Sequence, residues 1–200
     1  GQKSHNIIER SRLSIANILN CKASEIIFTS GGSESNNIIL KGILSKGDHL
    51  ITSTYEHPSI LNLAEQMFEN GIEVTFIKPN KNGIIDKDRI ESAIKQNTKL
   101  ISIMYVNNEL GTINNINDIS TIASSNNILF HSDAVQYIGK EKINLSESKI
   151  DFLSICAHKF YGPKGIGALY CKTGNNIEPL ISGGGQENGM RAGTENVSFI

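Results

Sequence analysis

Tryptophan is absent and cysteine is scarce. The three cysteines, Cys21, Cys156 and Cys171, are odd in number and widely spaced. That argues against a disulfide framework or a zinc knuckle, and fits a reducing compartment. No sign of charge dominates: 19 Lys and Arg stand against 20 Asp and Glu. A formal net charge of −1 gives no basic excess for nucleic acid and no charge block for a membrane surface. Long hydrophobic runs are missing as well. The longest are strand-sized, so no transmembrane helix is expected. The first residues, Gly1-Gln2-Lys3-Ser4-His5, carry neither a Met nor a signal-peptide pattern. These absences lead to the expectation of a cytoplasmic protein with no metal site, no nucleic-acid partner and no membrane contact.

What is present suits one substantial α/β domain. The 200 residues are 38% hydrophobic, enough for a sizeable core. Apolar residues at Ile7, Ile8, Leu13, Ile15, Ile18 and Leu19 predict a helix over Asn6 to Leu19. Strands are predicted at Glu25 to Thr29, His49 to Ser53, Ile72 to Ile77, Lys99 to Val106, Asn127 to His131, Asp151 to Cys156 and Gly167 to Cys171. Helices are predicted from Ser33, as N-cap, to Ser45, then over Pro58 to Asn70, Asp86 to Gln96 and Ile116 to Ser125. Strands alternating with helices predict βαβ units and a mostly parallel sheet, with chemistry gathered at the strands' carboxyl ends. The Gly-rich tail, Ser182 to Ile200, reads as a long loop. It stops without a clear end signal, which suggests a piece of a longer chain.

The polar features follow those strand ends. Ser154-Ile155-Cys156-Ala157-His158-Lys159-Phe160-Tyr161-Gly162-Pro163 runs a buried strand into a turn. A lysine held there and partly desolvated has its ammonium form disfavoured, and a neutral amine can form a Schiff base with an aldehyde. Lys159 is therefore the candidate anchor for pyridoxal phosphate (PLP). Ser30-Gly31-Gly32-Ser33 joins a strand to a helix and has the form of an anion cradle, neither a Walker loop nor GxGxxG. Asp133 could face a pyridine nitrogen, with Gln136 near the ring's phenolic oxygen. His57 could stack on a flat ring or shuttle protons, and Asn107 or Asn108 could bind a ring oxygen or a carboxylate. Singly, each has a plainer reading: surface lysine, cap turn, N-cap, loop histidine, polar turn. Their conjunction in one α/β frame favours a PLP site.

Six stretches together resemble the cysteine desulfurases, within the class V aminotransferase group of fold type I PLP enzymes. They are Thr29–Asn36, Glu56-His57, Val106–Gly111, His131–Gln136, Ala157–Gly165 and Gly183–Thr194. They occur in the family's order and close to its spacing, from about Gly1 to the last residue. The resemblance implies a three-layer α/β sandwich, with residues 1–200 as the large PLP-binding domain. An N-terminal segment and a C-terminal small domain would lie outside the chain. It implies Lys159 as the PLP lysine, Asp133 on the pyridine nitrogen and His57 stacked on the ring. Gln136 and Asn108 would contact the ring-oxygen side and substrate, and Gly32, Ser33 and His158 the phosphate. Thr194 would reach a neighbouring subunit's phosphate, implying a homodimer. The implied reaction takes sulfur from L-cysteine, giving L-alanine and an enzyme persulfide. That sulfur would pass to an acceptor or iron–sulfur scaffold protein, for cluster assembly and tRNA thiolation.

Departures from the pattern matter too. Cys156 stands where a phosphate-binding serine is usual, and a thiol is the weaker donor. Asn188 stands where an arginine is usual. The persulfide cysteine and an arginine for the substrate carboxylate would lie beyond Ile200, so the chain alone is expected to be inactive. Selenocysteine lyase, another class V enzyme, or a non-catalytic dimerisation module are the alternatives.

Overall fold

The computed structural model describes residues 1–200. Seven strands form one sheet: β1 (Ile26–Thr29), β2 (His49–Ser53), β3 (Glu73–Ile77), β4 (Thr98–Ser102), β5 (Leu129–Asp133), β6 (Phe152–Cys156) and β7 (Gly167–Cys171). Their spatial order is β1-β7-β6-β5-β4-β2-β3. Neighbours pair in parallel except β7, which runs antiparallel to both β1 and β6. This is the mostly parallel sheet expected. The five central strands β2, β4, β5, β6 and β7 are buried along nearly their whole length. That fits their short apolar runs, since strands covered on both faces need no alternation.

Five helices cover the sheet: α1 (Gln2–Leu19), α2 (Gly32–Ile43), α3 (Pro58–Glu69), α4 (Lys87–Ala93) and α5 (Ile116–Ser125). Two apolar clusters lie on opposite faces. One gathers Ile8, Ala16 and Leu19 of α1, Ile90 of α4, and Ile119 and Ala123 of α5. The other gathers Ile38, Ile39 and Leu40 of α2 with Ile60, Leu63 and Met67 of α3. Each fully buried Ile or Leu contributes about 1.5–3 kcal/mol by leaving water. Three layers result, and no helix is long and apolar enough to cross a membrane.

Several boundaries differ from the sequence pattern, each for a local reason. Helix α1 begins four residues earlier than predicted. Its buried stripe runs Ile8, Arg12, Ala16, Leu19, while Ile7, Leu13 and Ile18 are exposed. It stops where Asn20 turns left-handed at φ 52°. The N-cap of α2 is Gly31, not Ser33, which sits inside the first turn. Gly31 takes φ 154°, open to glycine alone. Strand β4 ends at Ser102 rather than Val106. Beyond it the chain stays tied to β5 by Ile103 N–H to His131 O and Tyr105 N–H to Asp133 O. Helix α4 stops at Ala93, short of Gln96, with its C-cap Ile94 extended.

Candidate functional site

A cavity of about 260 Å³ opens at the carboxyl edge of the sheet. Its lining comes from five strand ends: Gly32 and Ser33 after β1, His57 after β2, Met104 and Asn108 after β4, Asp133, Val135 and Gln136 after β5, and Cys156, His158 and Lys159 after β6. Parallel strands place all five ends on one side, so residues more than a hundred positions apart share a wall.

Part of the cavity wall is acidic and buried. Asp133 is the last residue of β5 and is buried. Its Oδ1 accepts the Val135 N–H at 3.0 Å, and its Oδ2 accepts the amide of Asn36 at 2.8 Å. No Lys or Arg forms a salt bridge with it. Burial pushes its pKa up, against the pull of those two donors and of His57. A buried carboxylate without a cationic partner is costly, and a protonated ring nitrogen would supply the missing charge. On that ground the residues fit PLP. His57 caps α3, its Nδ1 accepting the Ser59 N–H at 3.1 Å.

The lining contributed by the start of α2 is polar and more exposed. The first N–H groups of the twelve-residue helix α2 have no partner within the helix and suit an anion. Gly32 is required there, because a Cβ would meet Val135 Cγ2 at 2.7 Å. Glu34 holds the turn from behind, accepting the Ser30 N–H at 2.7 Å and pairing with Arg191 Nε at 2.8 Å. The Cys156 sulfur lies 2.9 Å from His158 Nδ1. Lys159 belongs to a single 3-10 turn, Ala157–Phe160, which closes at left-handed Tyr161, φ 68°.

Buried titrating groups surround this site. Glu56 is 3% exposed, and burial pushes its pKa up to about 8 although Ser53 and the Met104 N–H donate to Oε1. His131 sits between Ser102 and Ser154, and burial lowers its pKa to about 3. Between pH 4.5 and 8 the folded chain keeps a proton on Glu56 that the unfolded chain has released. Stability therefore falls as pH rises through that window, by up to ~1.4 kcal/mol per unit from this group. His131 acts oppositely: the unfolded chain takes up its proton below 6.5, so stability falls as pH drops from 6.5 toward 3. Above pH 6.5 the slope from Glu56 stands without the opposing one. The urea midpoint of the wild type is expected to fall from pH 6.5 to 8, and that of Glu56→Gln to fall less. Equal slopes in the two proteins would remove Glu56 as the source.

The structure brings nine of the ten expected site residues to this cavity: Gly32, Ser33, His57, Asn108, Asp133, Gln136, Cys156, His158 and Lys159. Thr194 is not among them. It lines a separate depression with Ser30, Gly165 and Arg191. Lys159 is exposed rather than buried, on the short turn that follows β6. Of the two asparagines, Asn107 is structural: its Oδ1 accepts the Glu109 and Leu110 N–H groups, and it donates to Tyr55 O. Asn108 lines the cavity. Cys156 is both core and lining, as the last residue of β6 and 3% exposed. Sequence reasoning missed Met104, Val135, Asn36, Ser59 and the supporting Glu34–Arg191 pair. Asn36 lies in the polar first half of α2, beside the equally buried Ser35, so no signal in the sequence set it apart.

Comparison with known proteins agrees with this fold. The aminotransferase class-V family model matches residues 1–200. "Cysteine desulfurase IscS" of Dictyoglomus turgidum is 48% identical over 204 residues, covering 100% of this chain and 52% of that protein. "Cysteine desulfurase, mitosomal" of Encephalitozoon cuniculi is 44% identical, covering 97% of this chain and 47% of that protein. Among solved structures, "SspA in complex with cysteine" superposes with a TM-score of 0.96 at 44% identity, covering 99% of this chain and 59% of that one. The chain spans about half the length of the curated relatives it matches. With the fold, the cavity and a family match over all 200 residues in agreement, the chain belongs to the class V aminotransferases.

Proposed function

We propose that residues 1–200 are the PLP-binding large domain of a cysteine desulfurase. In this reading the enzyme converts L-cysteine to L-alanine and passes the sulfur, as a persulfide, to an acceptor or iron–sulfur scaffold protein. The observation that supports it best is the convergence of Lys159, Asp133, His57 and the α2 N-terminus on one cavity. When bound, PLP supplies an aldehyde for a lysine amine and a ring that stores an electron pair.

The chain's own residues would do the rest. Lys159 Nζ would hold the cofactor and, once displaced by the substrate amine, carry a proton to and from the substrate Cα. Asp133 would keep a proton on the ring nitrogen, with His57 stacked on the ring face. Gln136 and Asn108 would contact the ring-oxygen side and the substrate. Gly32, Ser33, Cys156 and His158 would take the phosphate. Burial pushes Cys21 and Cys171 up to about 12, so neither is a thiolate near neutral pH. With Cys156 given to the phosphate, this reading takes its sulfur acceptor from outside these residues. A homodimer with Thr194 serving the neighbouring site, and a cytoplasmic place of action, complete the reading.

The test is the visible spectrum of the purified chain with PLP, before and after borohydride reduction, followed by peptide mapping. A reduced label on Lys159 is expected. A folded chain that takes no label, or takes it elsewhere, overturns the assignment.

A further inference from the structure

Asn36 is an unusual residue for its position. It lies on the inner face of α2, 1% exposed, with Ile38, Ile39 and Leu40 buried beside it. Its Oδ1 is buried and has no partner. An unsatisfied buried carbonyl costs stability, so folding alone does not explain an amide here. Its Nδ2, in contrast, is fully used. One hydrogen goes to Asp133 Oδ2 at 2.8 Å and the other to Ser59 Oγ at 2.9 Å. Asp133 as a carboxylate only accepts, which fixes the amide with nitrogen on that side.

The chain of bonds continues to the other ring-binding residue. Ser59 Oγ lies 2.8 Å from His57 Nδ1, and the Ser59 backbone N–H also points to Nδ1, at 3.1 Å. A backbone N–H can only donate, so Nδ1 carries the lone pair and the proton of the neutral ring sits on Nε2. The Ser59 hydroxyl then donates to Nδ1 and accepts from Asn36. Each bond linking Asp133, Asn36, Ser59 and His57 thereby has its donor and acceptor assigned, with Asn36 Oδ1 left outside the chain.

We infer that Asn36 is a positioning residue which, with Ser59 as its link, sets Asp133 and the tautomer of His57 together for a ring bound between them. This rests on the PLP reading above. It adds to it that the nitrogen-side acid and the ring-stacking imidazole are coupled through one amide on helix α2.

Two variants and two readouts test this. In ¹⁵N-labelled chain without PLP, the His57 ring, assigned by comparison with His57→Gln, should show Nδ1 as lone pair and Nε2 as N–H. Ser59→Ala should shift this toward a mixture of tautomers, with PLP affinity reduced severalfold. Asn36→Ala should weaken PLP binding about tenfold or more while the reduced label still maps to Lys159, since a hydrogen bond to a charged group is lost. An unchanged His57 tautomer in Ser59→Ala, or PLP affinity within twofold of wild type in folded Asn36→Ala, overturns the inference. Failure of the PLP reading looks different: wild type takes no label at Lys159. The ligand-free His57 spectra still decide the tautomer link in that case.

Discussion

Lys159→Ala is expected to abolish covalent capture of PLP while leaving the fold unchanged. Lys159 is exposed on a turn that touches the core through its neighbours, not through its own side chain. The turn is shaped by backbone: Tyr161 is left-handed, and Gly162 sits where a Cβ would meet that of Ala157 at 2.8 Å. Exposed substitutions of this kind shift stability within about 0.5 kcal/mol. Covalent capture has no such cushion, because Lys159 is the one lysine lining the cavity. Asp133, the α2 N-terminus and His158 remain in the mutant, so reversible binding should persist at lower affinity. Intact mass after borohydride reduction, beside a thermal midpoint, separates the two effects. A mutant labelled to the wild-type stoichiometry would show that another amine holds the cofactor.

The parts of this molecule that the sequence made legible are those set by local pattern. The limits of β2, α5 and β7 coincide with the predicted ones, because each is a compact apolar or amphipathic run with turn residues at both ends. Site residues at strand ends were legible for a related reason. A parallel sheet puts every such end on one edge, so Asp133, His57 and Lys159 could be grouped before their distances were known. Partners chosen across the fold were not legible. Asn36 fell within the Thr29–Asn36 stretch but was given no role of its own, and only the placement of α2 over β5 brings it to Asp133, 97 positions away. The tail was correctly expected to be loop, yet composition gave no sign that Glu187 within it is buried. The expected desolvation of Lys159 failed similarly, since strand-end position does not say which way a short turn leaves the sheet.

The tail leads to the largest effect on stability. Arg12→Ala is expected to cost about 3–5 kcal/mol, the usual result of leaving a buried charge unpaired. The Arg12 guanidinium donates to Glu187 at 2.6 and 2.9 Å and to Ile26 O at 2.5 Å, and lies 4.9 Å over the Phe28 ring. Glu187 also accepts the Phe28 N–H at 2.8 Å, and its side chain is 2% exposed. Without Arg12 that nearly buried carboxylate loses its salt-bridge partner. Arg12→Lys should recover little, because an ammonium cannot reproduce the two-pronged bond. The consequence reaches the candidate site. Four residues on, Arg191 pairs with Glu34, whose carboxylate also holds the Ser30 N–H beside Gly31. A tail freed at Glu187 loosens the turn from which the anion cradle is built, so PLP affinity should fall along with the urea midpoint. The double variant Arg12→Met/Glu187→Leu separates the two causes. It removes the stranded charge and leaves the Arg191–Glu34 pair of the tail in place, so the urea midpoint should return most of the way. A midpoint that stays low in the double variant would assign the loss to the bonds with β1 that it also removes, Arg12 to Ile26 O and Phe28 N–H to Glu187, rather than to the unpaired carboxylate.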